Sequence, residues 1–293
     1  MGVWFSEQGV GVAALGPNGG LATAEFRPAD DEEGTIEALR GAVHDHGLRR
    51  RPTVCVLPRG RYEIQQLQAP AVPDEELAAA VRWRVKDLIS VSLEDAVIDT
   101  IAVPQGPSRR ESMVYGVAAR RQEVERLNAM VAEAGLRVAA VDIPEMALRN
   151  LAARIPEQGG GVAVLGVDED DGLLTITRND TLYLARGLEM GAVHLRADSH
   201  QVGERLALEL QRSLDYYDSQ LYGAPPGVIG VLPLAEFESG LLVDQLNAEL
   251  GVPVRLLDVA DLLGDEEPLA PARQRRVALA VGAALRRGQG GTE

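Results

Sequence analysis

Residues 162–187 read VAVLGVDEDDGLLTITRNDTLYLARG. Three runs in it, Val162 to Val167, Leu173 to Arg178 and Leu182 to Gly187, are apolar or alternate apolar with polar. Two turn signals divide them, Asp168-Glu169-Asp170-Asp171-Gly172 and Asn179-Asp180. Short runs of this kind, bounded by Asp, Asn and Gly, are β-strands joined by tight turns. The stretch predicts a three-stranded meander, and the chain opens on the same pattern. Val3 to Phe5, Gly9 to Leu15 and Leu21 to Phe26 are strand-like, with Pro17-Asn18-Gly19-Gly20 between the last two. Asn-Gly is a hairpin signal because both residues tolerate positive φ.

Each meander continues as alternating helix and strand. The first leads to a helix from Thr35 to Asp45 and a strand from Thr53 to Leu57. The second leads to a helix from Ser199 to Tyr222, whose apolar positions Val202, Leu206, Leu210, Leu214, Tyr217 and Leu221 recur at three and four. A strand (Gly227 to Leu232), a helix (Glu238 to Leu250), a strand (Val252 to Leu257) and a closing helix from Ala272 to Arg287 follow. A repeated pattern of this kind predicts two similar α/β domains with a cleft between them.

A segment between the halves fits neither. Tyr62 to Gln68, Ala96 to Val103 and Ser112 to Ala119 read as strands, the last two joined by the loop from Pro104 to Arg110. Pro73 to Ile89 reads as a helix opened by Pro and three acids, with Leu77, Val81, Val85, Leu88 and Ile89 on one face. Gln122 to Ala134 is a second helix, with Val124, Leu127 and Val131 inward and Gly135 as C-cap. The domain expectation is therefore a first domain over 1–57 that returns over 136–157, an inserted α+β subdomain over 58–135, and a second domain over 158–293. Trp83 and Arg84 lie off the apolar face of the insert's first helix, so they are either solvated or a contact site.

Composition narrows the function. Over 293 residues, 29 Lys and Arg face 44 Asp and Glu, a net charge of -15. Such a surface repels nucleic acid, so no DNA or RNA partner is expected. Cys55 is the only cysteine, which fits a reducing compartment, and its setting PTVCVL reads as a buried strand thiol. The N-terminus lacks a signal-peptide pattern and no apolar run is long enough to span a bilayer, so a cytoplasmic location is expected. His44-Asp45-His46 does not make a metal site, since two His at i, i+2 do not share a helix face. Asp168 to Asp171 lacks the ligand spacing of a calcium loop and reads as a solvated hairpin tip. Arg49, Arg50, Arg51, Arg59 and Arg61 form a local basic cluster that is either a solvated loop or a peripheral contact with anionic membrane.

Four stretches carry a family resemblance: AVRWRVKDLISVSLEDAVIDT, AGLRVAAVDIPEMALRNLAAR, LALELQRSLDYYDSQ and the closing VALAVGAALRR. Their content and order resemble the PilM-like proteins of type IV pilus assembly, with the MshI branch of MSHA pilus biogenesis as the nearest. The resemblance implies an actin-like (ribonuclease H-like) two-domain fold. It also implies a cytoplasmic protein, peripheral to the inner membrane, that binds the tail of a bitopic PilN-like protein in a groove between the first domain and the insert. Trp83 and Arg84 are the residues expected to border that groove.

Members of the family close to PilM bind ATP between two hairpins that carry Asp-x-Gly loops. Here Trp4 stands at the position of the first Asp and Ser6 at that of the Gly. In the second hairpin Gly166 stands for the Asp and Asp168 for the Gly. Four carboxylates crowd that turn and are expected to repel a triphosphate. The adenosine loop reads Gly230-Val231-Leu232-Pro233-Leu234-Ala235-Glu236-Phe237, without a Gly pair. Glu209, Arg212 and Ser213 retain the family's adenosine-side set, and at i, i+3, i+4 they serve equally as an intrahelical salt bridge and cap. The expectation is a non-enzymatic assembly scaffold with no cofactor and no metal. The competing readings are an ATP-binding actin-like assembly protein and a GspL-like cytoplasmic domain of type II secretion. The absence of a membrane span before Glu293 weighs against the latter.

Overall fold

The computed structural model describes residues 1–105, 112–156, 159–234, 239–264 and 269–286. Strands β1 (Gly2–Ser6), β2 (Gly9–Leu15) and β3 (Leu21–Pro28) form the opening antiparallel meander. Helix α1 (Glu32–Asp45) follows, capped by Asp31, whose Oδ1 accepts the Gly34 N–H at 2.8 Å. Strand β4 (Pro52–Val56) then runs parallel to β1. The intervening segment supplies β5 (Tyr62–Gln68), α2 (Asp74–Val85), β6 (Ala96–Val103), β7 (Met113–Arg120) and α3 (Arg121–Glu133). Strand β8 (Arg137–Asp142) pairs parallel with β4, and α4 (Pro144–Ala152) ends the first half.

The second half repeats the plan. It contains β9 (Val162–Val167), β10 (Gly172–Arg178), β11 (Thr181–Leu188), α5 (Ala192–Ala197) and α6 (Ser199–Tyr216). Helix α6 runs on as a π-helical turn over Tyr217–Tyr222 and stops at Gly223, whose φ of +88° only glycine adopts readily. Then come β12 (Val228–Val231), α7 (Ser239–Glu249), β13 (Val254–Leu256), a 3-10 turn (Asp261–Leu263) and α8 (Pro271–Ala284).

The strand orders are β3-β2-β1-β4-β8 and β11-β10-β9-β12-β13, so the two five-stranded sheets have one topology. Each half lends its last helix to the other's sheet. Helix α4 packs on β9 and β10, while α8 packs across β1 and β2. The two helices meet where Gly282 passes the Ala147 backbone, and Asn150 Nδ2 donates to the Gly282 carbonyl at 2.8 Å. One apolar core, with Trp4, Val56, Leu148, Leu151, Val164 and Val281, therefore runs from the first sheet to the second.

The third sheet, β5-β7-β6, is separate and antiparallel. One face holds a small core with α2 through Val81, Val85 and Val114. The other leans on the second half, where the Ala185 N–H donates to Tyr115 Oη at 3.0 Å. Helix α3 leaves the insert: Leu127, Met130 and Val131 are buried in the core of the first sheet.

Three local expectations are corrected. Helix α2 ends at Val85, after which the chain turns, with the Leu88 and Ile89 N–H groups both donating to the Val85 carbonyl. Ile89 tucks under the helix, and Leu88, expected on the apolar face, is 49% exposed. Among Asn18 and Gly19, only Gly19 takes positive φ (+83°). The pair of left-handed residues that suits a two-residue hairpin lies instead at Asn179 (φ 46°) and Asp180 (φ 58°). Helix α5 is an element that the sequence pattern does not reveal. Of the loop expected from Pro104 to Arg110, residues 106–110 lie outside the described residues.

Candidate functional site

The two hairpins face each other where the sheets converge. In the first, Ser6 is bound within its own turn: its Oγ donates to the Gly9 carbonyl at 3.1 Å and accepts the Gln8 N–H at 3.3 Å. Trp4 is 9% exposed and belongs to the shared core. Its indole helps to close a cavity of only about 60 Å³, lined also by Leu148, Gly166, Asp168, Asp171 and Arg275. Small-molecule sites run from about 300 to 1,000 Å³, so this space holds a water or two rather than a triphosphate. At Gly166 a Cβ would meet only Leu232 and Leu148 methyl groups, at 3.6 and 3.8 Å. The glycine there is thus not forced by a close backbone approach.

The second hairpin differs from its sequence expectation. Three of the four carboxylates, Asp168, Glu169 and Asp171, are compensated by arginines from three elements. Arg275 on α8 donates to Asp168 Oδ1 at 2.9 Å and lies 3.6 Å from Glu169 Oε2. Arg196, on α5, pairs with Glu169. Arg59, from the segment after β4, bridges to Asp171 at 3.3 Å and donates to the Gly172 carbonyl at 2.6 Å. Burial raises the Asp171 carboxyl above its ordinary value, and Arg59 opposes that shift. Charge at this turn is spent on internal ion pairs, of which Arg59–Asp171 joins the two halves of the chain.

A larger cleft of about 620 Å³ opens in front of the hairpins, between Ser6–Gln8, the start of α1, Arg59 and Arg61, α3 and the acidic turn. Its lining carries nine carboxylates against five arginines, which is unfavourable for a polyanion.

The other expected positions lie apart from the cleft lining. On α6, Glu209 accepts from Arg212 at 2.6 Å and from Arg186 of β11 at 2.8 Å, and the buried Ser213 Oγ donates to the Glu209 carbonyl at 2.7 Å. This is the intrahelical arrangement, extended to a neighbouring strand. In the segment Gly230 to Phe237, expected to match the family's adenosine loop, Leu232 and Pro233 line the small cavity, while Ala235, Glu236 and Phe237 lie outside the described residues. Trp83 is 70% exposed on α2. Its neighbour Arg84 donates to the Gln68 carbonyl at 3.2 Å and ties the helix to the end of β5.

The basic cluster is corrected by the fold. Arg59 and Arg61 sit at the cleft, Arg61 lying 3.6 Å from Glu123, while Arg49, Arg50 and Arg51 sit at the opposite end of β4. Cys55 is fully buried, and its thiol is pushed up to about 12 by desolvation. Among the described residues no group of three potential metal ligands occurs. The sequence reading missed one buried polar pair. Tyr62 Oη donates to Glu145 Oε2 at 2.7 Å, with Glu145 only 3% exposed in the first turn of α4. Burial raises the Glu145 carboxyl, against the opposing pull of the Tyr62 hydrogen bond and Arg59.

The family model of the type IV pilus assembly protein PilM matches residues 25–200, more than half of the chain. The chain belongs to the PilM family. A chain of a PilM–PilN type IV pilus biogenesis complex superposes with a TM-score of 0.72 at 22% identity, over 97% of each chain. The cytoplasmic domain of EpsL, an inner-membrane component of the Vibrio cholerae type II secretion system, matches with a TM-score of 0.53 at 15% identity, over 90% and 92%. A Bacteroides thetaiotaomicron protein with an actin-like ATPase fold matches with 0.52 at 11%, over 87% and 89%. These likenesses establish the actin-like two-domain fold. A search of curated proteins returns no match.

Proposed function

We propose that this PilM-family chain is a non-catalytic scaffold of an MSHA-type pilus assembly platform. It holds the cytoplasmic tail of a PilN-like inner-membrane protein and thereby sits on the cytoplasmic face of that membrane. Family membership is the observation that carries the reading, and the TM-score of 0.72 to a chain of a PilM–PilN complex supports it. Among the described residues no helix is long and apolar enough to cross a membrane, so attachment through a partner's tail suits the chain.

Loss of nucleotide is part of the same proposal. The Trp4 indole helps to close the small cavity beside the hairpins, and the acidic turn is paired with arginines rather than open to Mg²⁺. Trp83 and Arg84 are proposed to border the tail groove. A large exposed aromatic next to an arginine on a well-anchored helix has the character of an interface hot spot. Calorimetric titration of the partner's N-terminal peptide into Trp83→Ala and Arg84→Ala tests this placement. Truncating a hot spot costs about 2 kcal/mol or more, roughly thirtyfold in Kd. Unchanged affinity in both variants would move the groove elsewhere.

A nucleotide-binding assembly protein remains the second reading, favoured by the 620 Å³ cleft, which is large enough for a small molecule.

A further inference from the structure

The end of the first sheet away from the cleft concentrates positive charge in an otherwise acidic protein. Arg49, Arg50 and Arg51 form the turn that enters β4, and Arg137 opens the neighbouring β8. All four side chains are exposed. The backbone fixes them together. The Arg50 N–H donates to the Gly135 carbonyl at 2.8 Å, the Arg137 N–H donates to the Arg51 carbonyl at 3.3 Å, and Pro52 is the register partner of Arg137. Arg50 is held in the turn at a left-handed φ of 58°.

Among the described residues none of these four arginines makes an ion pair, whereas the nearby carboxylates are engaged: Glu133 by Arg40 at 3.1 Å and Asp45 by Arg27 at 2.6 Å. The adjoining β2–β3 turn, Gly16 to Gly20, carries no charge, and Arg51 reaches it through the Leu15 carbonyl at 3.4 Å. The net charge of -15 is carried elsewhere and is screened beyond about 8–10 Å at moderate salt. A surface in contact with this sheet end would therefore meet the four arginines and not the global charge.

We infer that this sheet end is a docking surface for an anionic phospholipid bilayer, with Arg49, Arg50, Arg51 and Arg137 as the contact residues. Guanidinium groups suit lipid phosphates, to which they donate in a bidentate fork. The uncharged turn beside them, Gly16 to Gly20, adds no repulsion to an anionic surface. Nucleic acid, the other polyanion, is disfavoured because wrapping along it would bring the acidic remainder of the surface within reach. The inference goes beyond the proposed tail binding and does not depend on it, because it needs no partner protein.

The test is flotation of the full chain with phosphatidylcholine vesicles, with and without phosphatidylglycerol. The wild type is expected to float with the anionic vesicles only, and to be released at high salt. Each arginine near such a surface contributes about fivefold to partitioning, so Arg49→Gln, Arg50→Gln, Arg137→Gln together should weaken it about a hundredfold. Arg154→Gln, Arg205→Gln, Arg255→Gln removes the same charge from exposed arginines outside the patch and should retain binding. These substitutions are at exposed positions, and thermal melts confirm that each variant is folded. Absence of wild-type flotation, equal loss in both triple variants, or displacement from vesicles by duplex DNA would each overturn the inference.

Discussion

Trp4→Ala is the substitution that most sharply probes the junction of the two halves. Trp4 is nine-tenths buried, and its ring lies over Gly11, where a Cβ would be 3.5 Å from Cε3. The indole is walled by the first sheet below and by Ala278 and Leu279 of α8 and Leu148 of α4 above. A side chain that buries about 200 Å² at about 25 cal/mol per Å² accounts for about 5 kcal/mol, an upper estimate because the unfolded chain already hides some of that area. Measured aromatic-to-alanine changes in cores cost about 3–5 kcal/mol, so a loss of about 3–4 kcal/mol is expected. Denaturant unfolding followed by circular dichroism measures it. Tryptophan fluorescence adds a local readout, since the chain has only two tryptophans, Trp4 and the exposed Trp83. In Trp83→Phe the remaining emission should be blue-shifted and resist iodide quenching. A cost below about 1 kcal/mol would refute the reasoning, because Trp4 would then occupy the space without holding the halves together.

Four further outcomes follow from the same structure. Mg·ATP should move the melting temperature by about 1 °C or less, whereas occupancy at about 100 times Kd would add about 2.7 kcal/mol and several degrees. Glu145 is held above its ordinary value, so the folded state keeps its proton more tightly than the unfolded chain, and stability falls as pH rises through the folded value. Glu145→Gln keeps an acceptor for Tyr62 and should flatten that fall. Its melting temperature relative to wild type should be higher at neutral pH than at acid pH, and the opposite trend would contradict the burial argument. Gly282→Ala places a Cβ closer than 3.0 Å to the Ala147 backbone and should cost about 1–3 kcal/mol by parting α4 from α8. Gly240→Ala, with open space around it, should be neutral or stabilise by up to about 1 kcal/mol.

Much of the architecture was legible because its elements carry strong local signals. Strands Gly9–Leu15, Tyr62–Gln68, Ala96–Val103 and Val162–Val167 fall where alternation and flanking turn residues place them. Boundaries failed where tertiary packing decides. Helix α2 stops at Val85 because the chain must turn to bring Ile89 under it, and periodicity alone carries the helix on through Leu88. Helix α5, of six residues, is too short to show a period.

The site was legible as substitutions but not as geometry. Trp4 at a position where the resemblance leads one to expect an acid is visible in the sequence, yet the arginines that pair with the acidic turn are not. Arg275 lies 107 positions from Asp168, and Arg59 belongs to the other half of the chain from Asp171. The pairing of Tyr62 with Glu145 was hidden for the same reason, since an acid after Pro144 in the first turn of a helix reads as an ordinary dipole partner.

The central claim is that the chain holds a membrane protein's tail without nucleotide. Calorimetric titration of the wild-type chain with the N-terminal peptide of its PilN-like partner, run with and without Mg·ATP, tests it most directly. The account predicts saturable one-site binding with the same Kd in both runs. An absence of binding heat in both, or binding that appears only when Mg·ATP is present, would contradict it.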